Sequence, residues 1–207
     1  MDLPDTLPGL LYLLACDPER ERVTGTRNLD LLLSAAVLTD LLRHGLLRDE
    51  QGLAKVTGPA PAGLNPVLAE QLKRMADGRT RRWKSWIRGR NRSVHAVRAD
   101  LAAAGWIRLE PYRRLGLFPA TRVTVRNPRV RTALLTAVSA ALRGPLSRVA
   151  PVDAAVVALA DAARLQTVLT WRQRRTYRDR LADLAALTGP VPPALRQAVR
   201  SRDAAAS

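Results

Sequence analysis

Between Arg79 and Arg92 the chain places seven cations, Arg79, Arg81, Arg82, Lys84, Arg88, Arg90 and Arg92, with no acidic residue among them. A guanidinium group is a planar fork of donors that matches phosphate oxygens, so the chemistry on offer is anion binding rather than bond making. Trp83 and Trp86 interleave with the cations. Three residues apart, they share a helical face, which predicts that both indoles pack inward while the cations radiate outward. A second cluster runs from Arg113 and Arg114 through Leu115, Gly116, Leu117, Phe118 and Pro119 to Arg122. An apolar turn bordered by arginines suits entry into a lipid headgroup layer, and equally suits packing on a helix or on a second subunit. A third run, Arg172, Arg174, Arg175, Arg178 and Arg180, has Asp179 and Asp183 at pairing distance along a helix. It reads as a solvated face, with Trp171 and Tyr177 anchoring its inner side.

Catalytic constellations are missing from the sequence. His44 and His95 are the two histidines and Cys16 is the one cysteine, too few for a three-histidine metal site, a cysteine zinc site or an intrachain disulfide. No phosphate-cradling glycine loop, serine elbow or paired-carboxylate pattern occurs. The expectation is a non-enzyme without metal or cofactor.

The charge balance points the same way. Lysine and arginine total 34 against 18 acidic residues, a formal charge of +16. Such a field draws polyanions, whether acidic lipid, nucleic acid or acidic protein. With hydrophobic residues at 47% and charged residues at 25% the chain is expected to fold. No run of about 18 apolar residues occurs without a charge or breaker, so any membrane contact is expected to be peripheral, on a cytoplasmic protein.

Helical periodicity supplies the elements that must carry these clusters. Helices are expected over Leu29 to His44, stopped by Gly45, over Pro66 to Ala76 after the cap Asn65, and over Ser93 to Ala104, stopped by Gly105. Asn127 and Pro128 open another to Arg143. Pro151 to Leu165 and Thr170 to Leu187 follow, then a short last helix after Pro193, with a tail frayed from Ser201. Two hairpins intervene, Leu46 to Arg48 with Leu53 to Thr57, and Trp106 to Tyr112 with Leu117 to Val125. Asp40, Leu41, Gly45, Arg48 and Glu50 recur 60 residues later as Asp100, Leu101, Gly105, Arg108 and Glu110. That echo is either a duplicated helix and wing or two uses of the same stop signal. The fold class is therefore mostly α, one compact helical domain over residues 1–200 with one or two β-hairpins, and a tail at 201–207.

In this order the segments resemble the Golgi phosphoprotein 3 family, which includes bacterial members. The resemblance rests on Leu7 to Ala15 with Asp17, on the leucine helix ending Asp40, Leu41, Leu42, Arg43, His44, Gly45, and on Pro61 to Leu68. It continues through Val97 to Ile107, through Leu115 to Pro119 with Thr121, Arg122, Asn127, Pro128, Val130 and Arg131, and through Asp153 to Leu165. It implies a helical domain that binds phosphatidylinositol 4-phosphate in a basic pocket and dips an apolar hairpin, here Leu115, Leu117 and Phe118, into the bilayer. The family's pocket tryptophan falls among Gly25, Thr26 and Arg27, its first arginine near Ser34, and its arginine pair near Asn91 and Val94, beside Arg90 and Arg92.

The expected function is thus peripheral membrane binding to anionic headgroups of phosphoinositide type. The cations expected to hold phosphate are Arg27, Arg81, Arg82, Arg90, Arg92, Arg114 and Arg122. The rival expectations are winged-helix-like nucleic-acid binding, weakened because Asp100, Ala102, Ala103 and Ala104 offer bases little to read, and a homo-oligomeric scaffold.

Overall fold

The computed structural model describes the chain except residues 1–2, 18–21, 24–25, 90–92, 115–117 and 207; for 22, 26, 112–114 and 118–120 only the backbone is described. The Thr6 hydroxyl accepts from the Gly9 N–H and Pro8 sits in the first turn, so the chain enters helix α1 (Leu7–Ala15) at once. Two short strands, β1 (Cys16–Asp17) and β2 (Arg22–Val23), pair antiparallel, and a 3-10 turn at Thr26–Asn28 leads into α2 (Leu29–Arg43). Strands β3 (Leu47–Glu50) and β4 (Leu53–Val56) form the first hairpin, followed by α3 (Pro66–Ala76). Strand β5 (Arg81–Arg82) adds to β4, and α4 (Trp83–Arg88) and α5 (Ser93–Ala103) follow. The second hairpin is β6 (Ile107–Arg114) with β7 (Phe118–Val125), in register from Ile107 opposite Val125 to Arg114 opposite Phe118. Then come α6 (Pro128–Arg143), α7 (Pro151–Ala162), α8 (Trp171–Thr176), α9 (Arg178–Thr188) and α10 (Val191–Ala204).

Three of these helices are apolar on nearly every side, and that decides the layout. Every residue of α1 is buried; so is every residue of α2 from Leu29 to Leu41 except Asp30, and so is α7 from Ala154 to Ala160. The surrounding helices each give one face to this centre, as with Leu68, Leu72 and Met75 of α3 or Leu195, Ala198 and Val199 of α10. Both α1 and α10 run antiparallel to α2. The Leu7 N–H at the start of α1 donates to Asp40 near the end of α2, and Arg202 near the end of α10 grips Asp30 at the start of α2.

The 60-residue echo is realised in three dimensions. Gly45 and Gly105 both lie at positive φ, 69° and 78°, where a side chain would be strained. Each closes the same pair of hydrogen bonds, Gly45 N–H to Leu42 O with Leu46 N–H to Leu41 O, and Gly105 N–H to Ala102 O with Trp106 N–H to Leu101 O. In each copy the residue leaving the hairpin then bonds back, Thr57 N–H to Leu46 O and Arg126 N–H to Trp106 O. Even the paired aspartates do parallel work. Asp40 accepts from the first residue of α1, and Asp100 accepts from Asn65 Nδ2 at 3.1 Å, steadying the cap residue of α3. Two helix-and-wing units are therefore present, the second with a longer wing.

Some expectations need correcting. The helix read as Thr170 to Leu187 breaks at Tyr177, because Arg174 must reach Asp161 while Leu181 and Leu184 pack on α7. Trp171 does not anchor an inner face: it is 62% exposed, and α8 buries none of its residues. The last helix is not short and does not fray from Ser201, since Arg202 ties it to Asp30 and helix continues to Ala204.

Asp40 is fully buried and takes both the Leu7 N–H, at 2.6 Å, and Arg43 Nη1, at 2.9 Å. Burial pushes its carboxyl up, opposed by the Leu7 N–H and Arg43. Asp40→Ala is expected to lose about 3 kcal/mol of unfolding free energy, because a buried N–H loses its acceptor. Asp40→Asn keeps an acceptor and should lose far less; urea unfolding of both variants checks this.

Candidate functional site

The Arg79–Arg88 stretch is held by its own tryptophans. Trp83 is 2% and Trp86 9% exposed, with Ile87 beside them in the core, so α4 turns its apolar face inward as the spacing predicted. The Trp83 Nε1–H donates to Asp49 of β3, which fastens α4 to the first hairpin. The backbone of Arg81 and Arg82 pairs with Ala54 and Leu53. What remains outside is charge. Arg79, Arg81, Arg82 and Arg88 are exposed and Lys84 half-exposed, and none forms an ion pair among the described residues. The Arg81 guanidinium lies 5.4 Å from the Trp86 ring centre, an arrangement that orients it without neutralising it.

Arg27 is in a different place. It lies just before α2, 63% exposed, and shares Asp203 of α10 with Arg164, at 3.2 and 3.0 Å. Arg81 and Arg82 join through β4 to β3, which starts just beyond the other end of α2.

Helix α10 connects them. It packs against α4 on one side and α2 on another. Along it, Arg196 binds Asp161 at 2.9 Å, Arg200 is exposed, Arg202 makes a two-pronged contact with Asp30 at 2.6 Å, and Asp203 holds Arg27. Asp161 also takes Arg174 of α8, at 3.2 Å. A tract of arginines therefore runs from α4 across α10 to the 3-10 turn and α8, and three aspartates, Asp30, Asp161 and Asp203, pin five of its arginines in place. Sequence reasoning missed α10 as the bridge. The signal available was three arginines, Arg196, Arg200 and Arg202, in the last nine residues of the helix, without any hint of the distant aspartates that two of them meet.

The second hairpin adjoins this tract near its base, where β7 packs on β1 and β2. Arg122 is exposed on β7 opposite Glu110 and makes an interaction of its own. Phe118 pairs with Arg114 through the backbone at the last described step before the tip. Leu115 and Leu117 at the tip, with Arg90 and Arg92, lie outside the described residues. Ser34, where the family resemblance places an arginine, is buried in α2 with its hydroxyl donating to the Asp30 carbonyl at 2.6 Å. Val94 is half-buried on α5, and Gly25 and Asn91 are not among the described residues.

Burial pushes the Cys16 thiol up to about 12, only partly offset by Arg131, so it stays protonated and unreactive near neutral pH. Among the described residues no cluster of His, Cys, Asp and Glu is able to hold a metal ion. No described helix is long and apolar enough to cross a membrane.

Burial is the largest single influence and acts to raise the Asp30 carboxyl, but the hydrogen bonds and charge of Arg202, with the backbone N–H groups of Leu31 and Asp30, together outweigh it and hold the group below the usual carboxylate range. A depressed folded value contributes stability above the unfolded value near pH ~4, and that contribution disappears as pH falls through the folded value. In Arg202→Ala the Asp30 carboxyl should therefore titrate higher, read by carboxyl-carbon NMR. The stability margin of the parent over this variant should be constant above pH ~5 and shrink below pH ~4.

A comparison with curated proteins gave no match. The family model described as Golgi phosphoprotein 3 (GPP34) matches residues 7–202, from the first turn of α1 to the Arg202 that closes α10 on α2. The buried α2, the two wings and the arginine-bearing α10 all fall inside that match, and the chain belongs to the Golgi phosphoprotein 3 family.

Proposed function

We propose that this protein binds peripherally to membranes by docking its arginine tract on anionic lipid headgroups, with the tip of the β6–β7 hairpin entering the interface. The observation that carries the reading is the set of five cations from Arg79 to Arg88, displayed over a buried tryptophan face with no carboxylate partner among the described residues. Clustered like charges repel one another in the isolated protein, and a phosphate-rich surface relieves that repulsion. Membership of the Golgi phosphoprotein 3 family supports the same class of ligand, phosphatidylinositol 4-phosphate being the expected headgroup.

Nucleic-acid binding draws on one specific observation, the two helix-and-wing units. The first unit's helix, α2, is buried and unable to enter a groove, and the second, α5, exposes His95, Ala99 and Ala103, which give bases little to read. The lipid reading stands ahead of it. A scaffold function has no comparable support.

Vesicle flotation tests the proposal. Binding should require acidic lipid and weaken as salt shortens the Debye length from about 10 Å at 0.1 M. At about 1 kcal/mol per cation near an anionic surface, Arg81→Ala with Arg82→Ala should reduce partitioning by roughly 30-fold. Equal binding to neutral vesicles would contradict the reading. Vesicles matched in charge but differing in phosphatidylinositol 4-phosphate content separate headgroup recognition from general charge attraction.

A further inference from the structure

Trp171 stands out among the described aromatic side chains. It is 62% exposed, whereas Trp83 and Trp86 are buried and Trp106 is half-buried. A large indole left in water is a cost that a folded chain ordinarily avoids, and α8 offers it no apolar neighbour to cover it, since that helix buries no residue. A cation lies beside its ring instead. The Arg172 guanidinium lies 5.7 Å from the Trp171 ring centre, Arg175 is exposed on the same helix, and α8 contains no acidic residue.

The position of α8 is fixed by the residues just before it. In the α7–α8 connection, the Ala163 carbonyl accepts from Asn28 Nδ2 at 3.3 Å, and the Thr167 carbonyl accepts from Arg131 Nη2 at 3.4 Å. Arg131 also donates from Nε to the Cys16 carbonyl at 3.1 Å. Arg164 in the same connection shares Asp203 with Arg27. The connection is thus wedged among the 3-10 turn, the end of α1 and the start of α6, directly after the second hairpin. Thr170 caps α8 with a reciprocal pair of bonds to Gln173, so Trp171 emerges from a fixed base at that end of the molecule.

An amphipathic ring with an apolar body and one N–H donor, beside the Arg172 guanidinium and on the same basic helix as Arg175, fits the boundary between headgroups and acyl chains of an acidic bilayer. We infer that Trp171, flanked by Arg172 and Arg175, is a second interfacial anchor that seats in the headgroup layer of an anionic membrane, at the end of the arginine tract bearing Arg27. The inference rests on the membrane-binding reading and adds to it a residue outside both the 79–92 stretch and the hairpin. One anchor gives weak, reversible attachment, whereas two separated points fix how the protein sits on the surface.

The test uses the intrinsic fluorescence of the full chain against Trp171→Phe, whose difference isolates Trp171 from the other three tryptophans. With phosphatidylcholine vesicles containing about one third phosphatidylglycerol, Trp171 emission should shift to the blue and be quenched by brominated acyl chains. Pure phosphatidylcholine should leave it unchanged. Trp171→Ala should float about tenfold less with acidic vesicles. Its far-UV circular dichroism should match the parent, since the ring contributes nothing to the core. If the parent floats with acidic vesicles while Trp171 emission is unmoved and Trp171→Ala floats equally well, the second anchor is wrong and the headgroup reading survives. If the parent does not float at all, both fail. A blue shift that follows protein concentration without lipid assigns Trp171 to self-association and overturns the anchor.

Discussion

Helix α2 is walled in along its length, and this governs where the protein is able to meet anything else. From Leu29 to Leu41 every side chain but Asp30 is buried, so only the two ends of the helix reach the surface. An aspartate stands near each end. Asp40 receives the start of α1, and Asp30 receives the end of α10. Losing the Asp40 contact would leave a buried polar group unmatched, and burial without a partner costs more than the contact gains, whereas Asp30 is half-exposed and would meet water instead. The antiparallel layering of α1 and α10 on α2 follows from these two placements. So does the location of Arg27, which sits on the turn feeding α2 and shares α10's Asp203.

The sequence groups many of its arginines into runs, yet the fold sorts them by what they face. Some are structural: Arg131 bridges the Cys16 and Thr167 carbonyls, and Arg180 satisfies the Ala141 and Gly144 carbonyls where α6 ends, a place that favours a cation. Others are pinned by the three aspartates around α10. The remainder, above all those from Arg79 to Arg88, face solvent over a buried tryptophan floor. This last group, together with the Trp171 end, adds an outward field that an acidic surface is able to read. The pinned arginines hold the tract in place, so the proposed docking would spend little ordering entropy.

Much of the scaffold was legible because its signals are local. Asn65 with Pro66, Asn127 with Pro128, and the glycines at 45 and 105 set helix boundaries within a residue or so, and each works through bonds to its immediate neighbours. The inward face of α4 was legible for the same reason, as a three-residue spacing of two indoles. The break at Tyr177, the outward Trp171 and the full length of α10 were not. They depend on Arg174 reaching Asp161 and Arg202 reaching Asp30 across 172 positions of sequence, and no local pattern encodes such partners. Nor did spacing reveal that Arg27 shares Asp203 of α10 with Arg164, since charge runs along a chain carry no information about the partners that the fold brings to them.

The central claim is that an acidic bilayer covers the tract running from α4 over α10 to the turn at Arg27 and to α8. Hydrogen exchange measured by mass spectrometry, with and without acidic vesicles, locates the covered surface directly. Exchange should slow in segments 22–30, 79–92 and 163–177 and in the outer half of the β6–β7 hairpin, while the segment 58–76 stays as it was. Unchanged exchange throughout, or slowing confined to 58–76, would contradict the claim.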